Sequence, residues 1–186
     1  MTKEFLLFVF VISYSFFFIG CDPDDPEPPT EVELITTLSY TLTPMNGGTT
    51  VVLSFFDEDG DGGDSPIITE GLLDANTTYS GSIRLLNELD TPVENITEEV
   101  AEEDEDHQFF FSSTISDLAI AYDDVDEDGN PLGINSTLTT GAAGSGSITI
   151  ILRHEPDKFA DGVQDGNITN AGGETDIEVT IPVIIQ

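Results

Sequence analysis

The sequence predicts an all-β domain, an antiparallel β-sandwich of about eight strands with an immunoglobulin-like arrangement. From residue 32 onward, apolar and polar residues alternate with a period of two in most segments. Short runs rich in Gly, Asn, Asp and Pro separate these segments, as turns do. Many short strands joined by turns are typical of sandwiches and barrels, so a β-barrel is the alternative architecture.

The predicted strands follow one another with short connections. The first two, at 32–42 and 49–56, form a hairpin around the turn at 44–48. Six more are predicted at 79–88, 107–113, 117–123, 135–140, 147–154 and 175–185. The last strand alternates most regularly and places one apolar row on a single face: Ile177, Val179, Ile181, Val183 and Ile185.

One segment breaks the period of two. Residues Thr91 to Glu94 match a capping box with proline in the first helical position. Val93, Ile96 and Val100 then fall on one helical face. We therefore predict a short helix that crosses from one sheet to the other. The alternative is an acidic loop, because glutamates recur here at a spacing of four, where like charges repel.

The residues before the domain form two further segments. Residues 1–20 combine a short charged start, an apolar run and a small residue before Cys21, which is the pattern of a secretory signal peptide. The apolar run is shorter than the roughly 20 residues that span a bilayer. Residues 21–31 are an acidic, proline-rich tether that cannot form a core. The β-sandwich domain takes residues 32–186.

The segment Phe18-Ile19-Gly20-Cys21 resembles a bacterial lipoprotein signal, in which the cysteine is lipidated and becomes the new N-terminus. The acidic residues after Cys21 and the segment 172–179 resemble small acidic lipoproteins of Bacteroidota. This resemblance implies anchoring to the lipid bilayer through Cys21, in the outer membrane and at the cell surface. The alternative location is the periplasmic face of a membrane.

Relatives of such lipoproteins sometimes carry the label of a type 1 periplasmic-binding fold, which would imply a solute-binding protein. That fold consists of two α/β lobes with alternating strands and helices. This chain offers almost no helical pattern and too little length for two lobes. We keep the solute-binding protein only as an alternative.

Charge restricts the partners. The chain has 37 acidic and 4 basic residues, a net charge of −33, and removal of residues 1–20 takes away one of each. A field of this sign repels phosphate, so nucleic acid is excluded as a partner. The same field attracts cations, including calcium.

Two stretches contain the pattern D-x-D-x-D-G and resemble the first half of calcium loops of the EF-hand and dockerin type. Alternate aspartates can converge on one cation, and the glycine permits a sharp turn. Position 12 holds Ile68 in one loop and Asn135 in the other instead of a bidentate carboxylate, so we predict weak calcium binding. The alternative is a pair of polar turns. The candidate ligands are Asp57, Asp59, Asp61, Asp64, Asp124, Asp126 and Asp128.

Strand counting brings the two histidines together. If each of the eight strands runs antiparallel to the previous one, His107 and His154 reach the same end as the turn 44–48. The helix region, the second aspartate loop and the long segment 155–174 also reach that end, and the first aspartate loop lies at the other. This predicts a cation site, or a mixed histidine and carboxylate site, formed by His107, His154, Glu155 and Asp157 with the aspartates of the second loop.

The motifs of common enzymes are absent from the sequence: it has no G-x-S-x-G, no H-E-x-x-H and no phosphate-binding glycine loop. We therefore predict a non-enzymatic, surface-anchored binding or adhesion module with an unidentified protein or glycan ligand. The alternative is a structural acidic surface protein without a specific ligand. A deep aromatic-lined pocket would favour the first, and flat sheet faces with acidic loops would favour the second.

Overall fold

The computed structural model describes residues 34–60 and 62–186. The predicted signal peptide, Cys21 and the tether lie outside the described residues, and so does Asp61. The described chain contains one α-helix, α1 (Ile96–Glu102), and ten strands. The strands are β1 (Thr37–Pro44), β2 (Val51–Phe56), β3 (Ile67–Thr69), β4 (Gly71–Leu73), β5 (Thr78–Leu86), β6 (His107–Ser113), β7 (Ala119–Tyr122), β8 (Asn135–Thr139), β9 (Gly144–His154) and β10 (Glu174–Ile185).

The strands form two sheets, which confirms the predicted β-sandwich. The six-stranded sheet has the order β3-β2-β1-β5-β8-β7, and the four-stranded sheet has the order β4-β10-β9-β6. All pairs are antiparallel except β4 with β10, which is parallel. The sheets are separate layers and do not close into the alternative barrel.

The inner faces of both sheets supply one apolar core. On β1, Leu38, Tyr40 and Leu42 are fully buried, while the intervening Ser and Thr residues face outward. The five apolar residues predicted on one face of the last strand are all buried. Alternation therefore places the correct side chains inside, because successive residues of a strand point to opposite faces.

One pass of the chain is missing from the predicted strands. β3 and β4 have three residues each, with one residue between them, and they run in the same direction. β3 pairs at the edge of the six-stranded sheet and β4 at the edge of the four-stranded sheet. Segments this short show no period, and every residue of β3 is exposed. This extra pass reverses the direction of β5 relative to the prediction.

The helix starts later than the capping box predicts. α1 begins at Ile96 after Asn95, whose side chain makes no capping hydrogen bond. Asn87 and Glu94 exchange two backbone hydrogen bonds of 3.1 and 3.2 Å, so the residues between them form a closed loop. Val93 lies in this loop and is exposed, whereas Ile96 and Val100 are buried as predicted. The helix joins β5 to β6 and crosses between the sheets, as expected.

The long segment 155–174 is folded onto the four-stranded sheet. Phe110, Val163 and Ala171 form a second small core on the outer face of that sheet. Two short 3₁₀ turns, Val163–Asp165 and Ile168–Asn170, shape the segment. No described helix is long and apolar enough to cross a membrane.

Candidate functional site

The loops of the domain are divided between two ends, which we call the histidine end and the turn end. The histidine end carries loops 57–66, 87–106, 123–134 and 155–173, and the turn end carries loops 45–50, 74–77, 114–118 and 140–143. Strand counting places both histidines correctly with the second aspartate loop, the helix region and loop 155–174. It is wrong about the first aspartate loop, which shares the histidine end, and about the turn 44–48, which lies opposite. The uncounted pass through β3 and β4 explains both errors.

His107 and His154 are direct cross-strand neighbours. They are paired residues of β6 and β9, and their rings stack with centroids 4.8 Å apart and planes inclined by 11°. The His107 side chain is only 1% exposed. Its Nδ1 lies 3.0 Å from the carbonyl oxygen of Glu103, so Nδ1 carries the proton and donates it. In the neutral ring, Nε2 is therefore left with a free lone pair.

Asp176 completes the cluster. Its Oδ2 lies 3.8 Å from Nε2 of His107, and ligating atoms of Asp176 and both histidines all lie within 4.8 Å of one another. The register between β9 and β10 shifts between Thr175 and Ile177, which makes Asp176 the extra residue of a β-bulge. A bulge redirects a side chain relative to regular alternation. The bulge accounts for a carboxylate facing the histidines from a strand whose other acids point outward.

The Asp176 carboxylate lies in an unfavourable environment. Its side chain is 7% exposed, and Oδ2 is buried without a hydrogen-bond partner among the described residues. Burial raises the pKa of Asp176, and the two neighbouring histidines only partly oppose that effect. Such a buried acceptor is unusual in a folded protein, where most buried polar atoms are hydrogen-bonded.

Glu155 and Asp157 lie outside this cluster, although the sequence prediction includes them. Both are exposed. The backbone N–H of Glu155 donates to the carbonyl of Asp106, and the Asp157 carboxylate accepts from the N–H of Phe159 at 3.1 Å. These two residues shape the start of loop 155–174. The carboxylate at the histidines is Asp176, which alternation predicts to face outward and only the bulge brings in.

The second aspartate loop uses its carboxylates internally. Asp126 is buried and pairs with the ammonium of Lys158 at 2.9 Å; it also accepts from the N–H of Asn130 at 2.7 Å. Burial opposes ionisation, but Lys158 and Asn130 outweigh it, and the pKa of Asp126 lies below its usual range. Asp124 accepts from the N–H groups of Gly133 and Asn135. Asp128 is exposed.

The first aspartate loop is a chain of polar turns. Asp57 accepts from the N–H of Asp59 at 3.3 Å, and Asp59 accepts from the N–H of Asp64 at 3.2 Å. These contacts match the alternative interpretation of this stretch as polar turns. The described carboxylates of this loop are more exposed than Asp126.

An acidic cleft of about 320 Å³ lies beside the second loop. Its lining consists of acids only: Glu102, Glu103, Asp104, Glu105, Asp106 and Glu127. The charge of Asp128 raises the pKa of Glu105, and desolvation and Glu127 add to that effect. Like charges are thus crowded enough here to disfavour ionisation.

A groove of about 540 Å³ runs beside α1, on the side of the six-stranded sheet. Leu132 and Ile134 give it an apolar part, and Arg84 and Asn95 give it polar groups. Asn95 Oδ1 is buried without a hydrogen-bond partner, and no described carboxylate forms an ion pair with Arg84. The groove is open, and none of its lining residues is aromatic.

Comparisons with known proteins identify no family. No protein-family model matches the chain, and no curated protein matches it. Among solved structures, it is similar to the crystal structure of the S-layer protein SbsC domains 4 and 5. Identity is 13% and the TM-score is 0.27, over 78% of this chain and 75% of that chain. A similarity at this level carries no conclusion about function.

Proposed function

We propose that this chain is a lipid-anchored, surface-displayed protein whose sandwich acts as a non-enzymatic binding or adhesion module. The observation that carries the proposal is the groove beside α1. Its volume falls in the range of ligand-binding clefts, which are usually largely apolar with a few polar groups that fix orientation. The groove offers both an exposed donor, Arg84, and an exposed acceptor, the carboxylate of Glu98.

The charge of the chain selects the ligand class. A net charge of −33 repels acidic ligands and attracts neutral or basic ones. A peptide segment can accept from Arg84 through its carbonyl groups and donate to Glu98 through its N–H groups. The lack of Trp and of aromatic lining makes a sugar ligand less favourable. We therefore propose a neutral or basic segment of a partner protein as the ligand.

Capture of partners from an outer-membrane extract by the full-length protein tests the groove. Ala101 lines the groove from α1 and is exposed, so Ala101→Trp should fill the groove without disturbing the core. Ala119 is exposed on β7 outside the groove, and Ala119→Trp is the matched control. We expect the wild type and the control to retain the same partner and Ala101→Trp to lose it. Equal retention by both variants would rule the groove out.

Membrane fractionation tests the anchor. The lipoprotein-like segment makes Cys21 the attachment point, so Cys21→Ala should move the protein from the membrane fraction to the soluble fraction. Incorporation of a labelled fatty acid should disappear in the same variant. Firm retention of Cys21→Ala in membranes would contradict lipid anchoring.

A structural acidic protein without a specific ligand is the second candidate function. The groove beside α1 is open and has no aromatic lining, so it does not meet the criterion of a deep aromatic-lined pocket. The acidic cleft and the outward-facing Ser and Thr residues of β1, β5 and β8 meet the criterion of flat faces with acidic loops and favour this candidate. In this case calcium acts weakly, through accumulated negative charge and not through the second aspartate loop, whose Asp124 and Asp126 already accept protein hydrogen bonds. If the groove variant retains the same partners as the wild type and calcium stabilises the protein, this candidate is favoured.

A further inference from the structure

We propose that His107, His154 and Asp176 form a binding site for a divalent transition-metal ion of the zinc type. This site is separate from the groove beside α1 and does not depend on the proposed binding function. It offers two imidazole nitrogens and one carboxylate oxygen, a donor set that zinc uses with a water as fourth ligand. Imidazole donors favour zinc, nickel and copper over calcium and magnesium, which prefer oxygen ligands.

The orientation of His107 suits a metal ligand. Metal-binding histidines almost always donate the second ring N–H to a carbonyl or carboxylate, which fixes the ring and its tautomer. His107 makes this contact from Nδ1 to the Glu103 carbonyl at 3.0 Å. Its Nε2 then points toward Asp176 with a free lone pair. The ring is held in place by the fold, because the residue is buried and starts β6.

The distance between His107 and Asp176 is a second indication. At 3.8 Å, Nε2 and Oδ2 are too far apart for a hydrogen bond. Two ligands of a tetrahedral zinc ion lie about 3.4 Å apart, since each bond is about 2.0–2.2 Å long. The ligand atoms of the three side chains all lie within 4.8 Å of one another, so no pair has to approach by more than about 1.4 Å to reach this separation.

The environment of Asp176 is the third indication. A buried carboxylate oxygen without a hydrogen-bond partner leaves its desolvation uncompensated. A divalent cation between the three side chains would compensate it. The bulge that places Asp176 here belongs to β10, which pairs along its whole length with β9, so the ligands come from strands and not from loops.

Zinc titration of the full-length protein tests the proposal. The titration is done in millimolar calcium, so that calcium occupies the acidic cleft and zinc reports the histidine cluster. We expect about one zinc ion per chain, and we expect His154→Ala and Asp176→Asn each to weaken binding at least tenfold, roughly the loss that even outer-shell partners cause. Glu155→Gln and Asp157→Asn are the matched controls, because they remove nearby carboxylates outside the cluster.

Cobalt gives an independent readout. Co²⁺ bound to wild-type protein should show the intense visible absorption of four-coordinate geometry, and zinc should abolish it. Circular dichroism verifies that each variant is folded; Asp176→Asn is nearly isosteric and serves if His154→Ala does not fold. No zinc binding in calcium, unchanged binding in Asp176→Asn, or equal losses in the two control variants would each overturn the proposal.

Discussion

Lys158 and Asp126 form the one ion pair between a lysine and a carboxylate among the described residues, and it is buried. Their side chains are 3% and 1% exposed, and Lys158 also donates to the carbonyl of Asp104. The ion pair connects loop 155–174 to the second aspartate loop. The hydrogen bond from Lys158 to the Asp104 carbonyl connects loop 155–174 to the segment after α1. A buried charge is tolerated only when it is paired and hydrogen-bonded, so each partner depends on the other.

Lys158→Met should lower the free energy of unfolding by about 3–5 kcal/mol at pH 7, because it leaves the Asp126 carboxylate buried without its cation. In the wild type, the lowered pKa of Asp126 contributes stability above the ordinary carboxyl pKa of about 3.9, and this contribution is lost as the pH falls through the lowered value. In the variant, burial should raise the pKa of Asp126. As the pH falls from 7 to about 5, Asp126 of the variant should become protonated and lose its unpaired charge. The decrease in the free energy of unfolding caused by Lys158→Met should therefore be smaller at the lower pH.

Urea denaturation at both pH values measures this effect. The double variant Lys158→Met with Asp126→Asn is the control, since it removes both charges and should cost less than Lys158→Met alone. A cost that is independent of pH, or a double variant less stable than the single one, would contradict the role assigned to the pair.

His107, His154 and Asp176 show how far single residues could be predicted from the sequence. The location of both histidines at one end of the sandwich follows from strand counting, because β6 and β9 have boundaries that alternation and turn residues define. Their pairing as cross-strand neighbours does not follow, since strand counting gives no order of strands within a sheet. The position of Asp176 could not be predicted from the sequence, since a bulge depends on how β10 pairs with β9 and leaves no periodic pattern in the sequence. Without the bulge, Asp176 would face outward like Glu174 and Glu178, which are exposed.

At the scale of elements, the turn into β10 depends on two consecutive glycines. Gly172 and Gly173 have φ angles of +60° and +68°, which side chains other than glycine rarely adopt. A Cβ on Gly172 would meet nothing within 4 Å, whereas a Cβ on Gly173 would lie 2.2 Å from the carbonyl oxygen of His154. Substitution of Gly172 therefore measures the cost of the backbone conformation alone, and substitution of Gly173 adds the cost of a steric clash with the His154 carbonyl.

Gly172→Ala should reduce stability by about 1–2 kcal/mol, the cost of a left-handed conformation. Gly173→Ala should cost about 1–3 kcal/mol more, because its Cβ would push β10 away from β9 next to His154. Thermal denaturation of both variants measures the difference. Equal melting temperatures would mean that the backbone at Gly173 shifts without penalty.

Elements were predictable to different degrees for a physical reason. β1 could be predicted because every second side chain of a strand that covers a core is buried, and Leu38, Tyr40 and Leu42 show this alternation. β3 and β4 could not be predicted, because each strand spans only three residues and Ile67 and Ile68 are exposed. α1 could be predicted from Ile96 and Val100, but not its start. Val93 and Glu94 belong to the loop that the Asn87–Glu94 hydrogen bonds close, a local feature that capping rules do not contain.

At the scale of the whole molecule, negative charge should make stability depend on cations. Millimolar calcium should raise the melting temperature more than sodium at equal ionic strength, because calcium can bind carboxylates of the acidic cleft and of the first aspartate loop. We expect the half-maximal effect at about 10⁻⁴–10⁻³ M, the range of weak extracellular sites. Equal shifts with the two salts would indicate screening alone.

The two ends of the described chain lie at opposite ends of the sandwich. Leu34 precedes β1 at the histidine end, and Gln186 follows β10 at the turn end. β1 lies between β2 and β5, and β10 lies between β4 and β9. A tension applied between Leu34 and Gln186 therefore runs along both strands and across their hydrogen bonds, which are perpendicular to antiparallel strands. These bonds are loaded together in shear and cannot open one after another, so the sandwich should resist stretching more strongly than its thermodynamic stability implies.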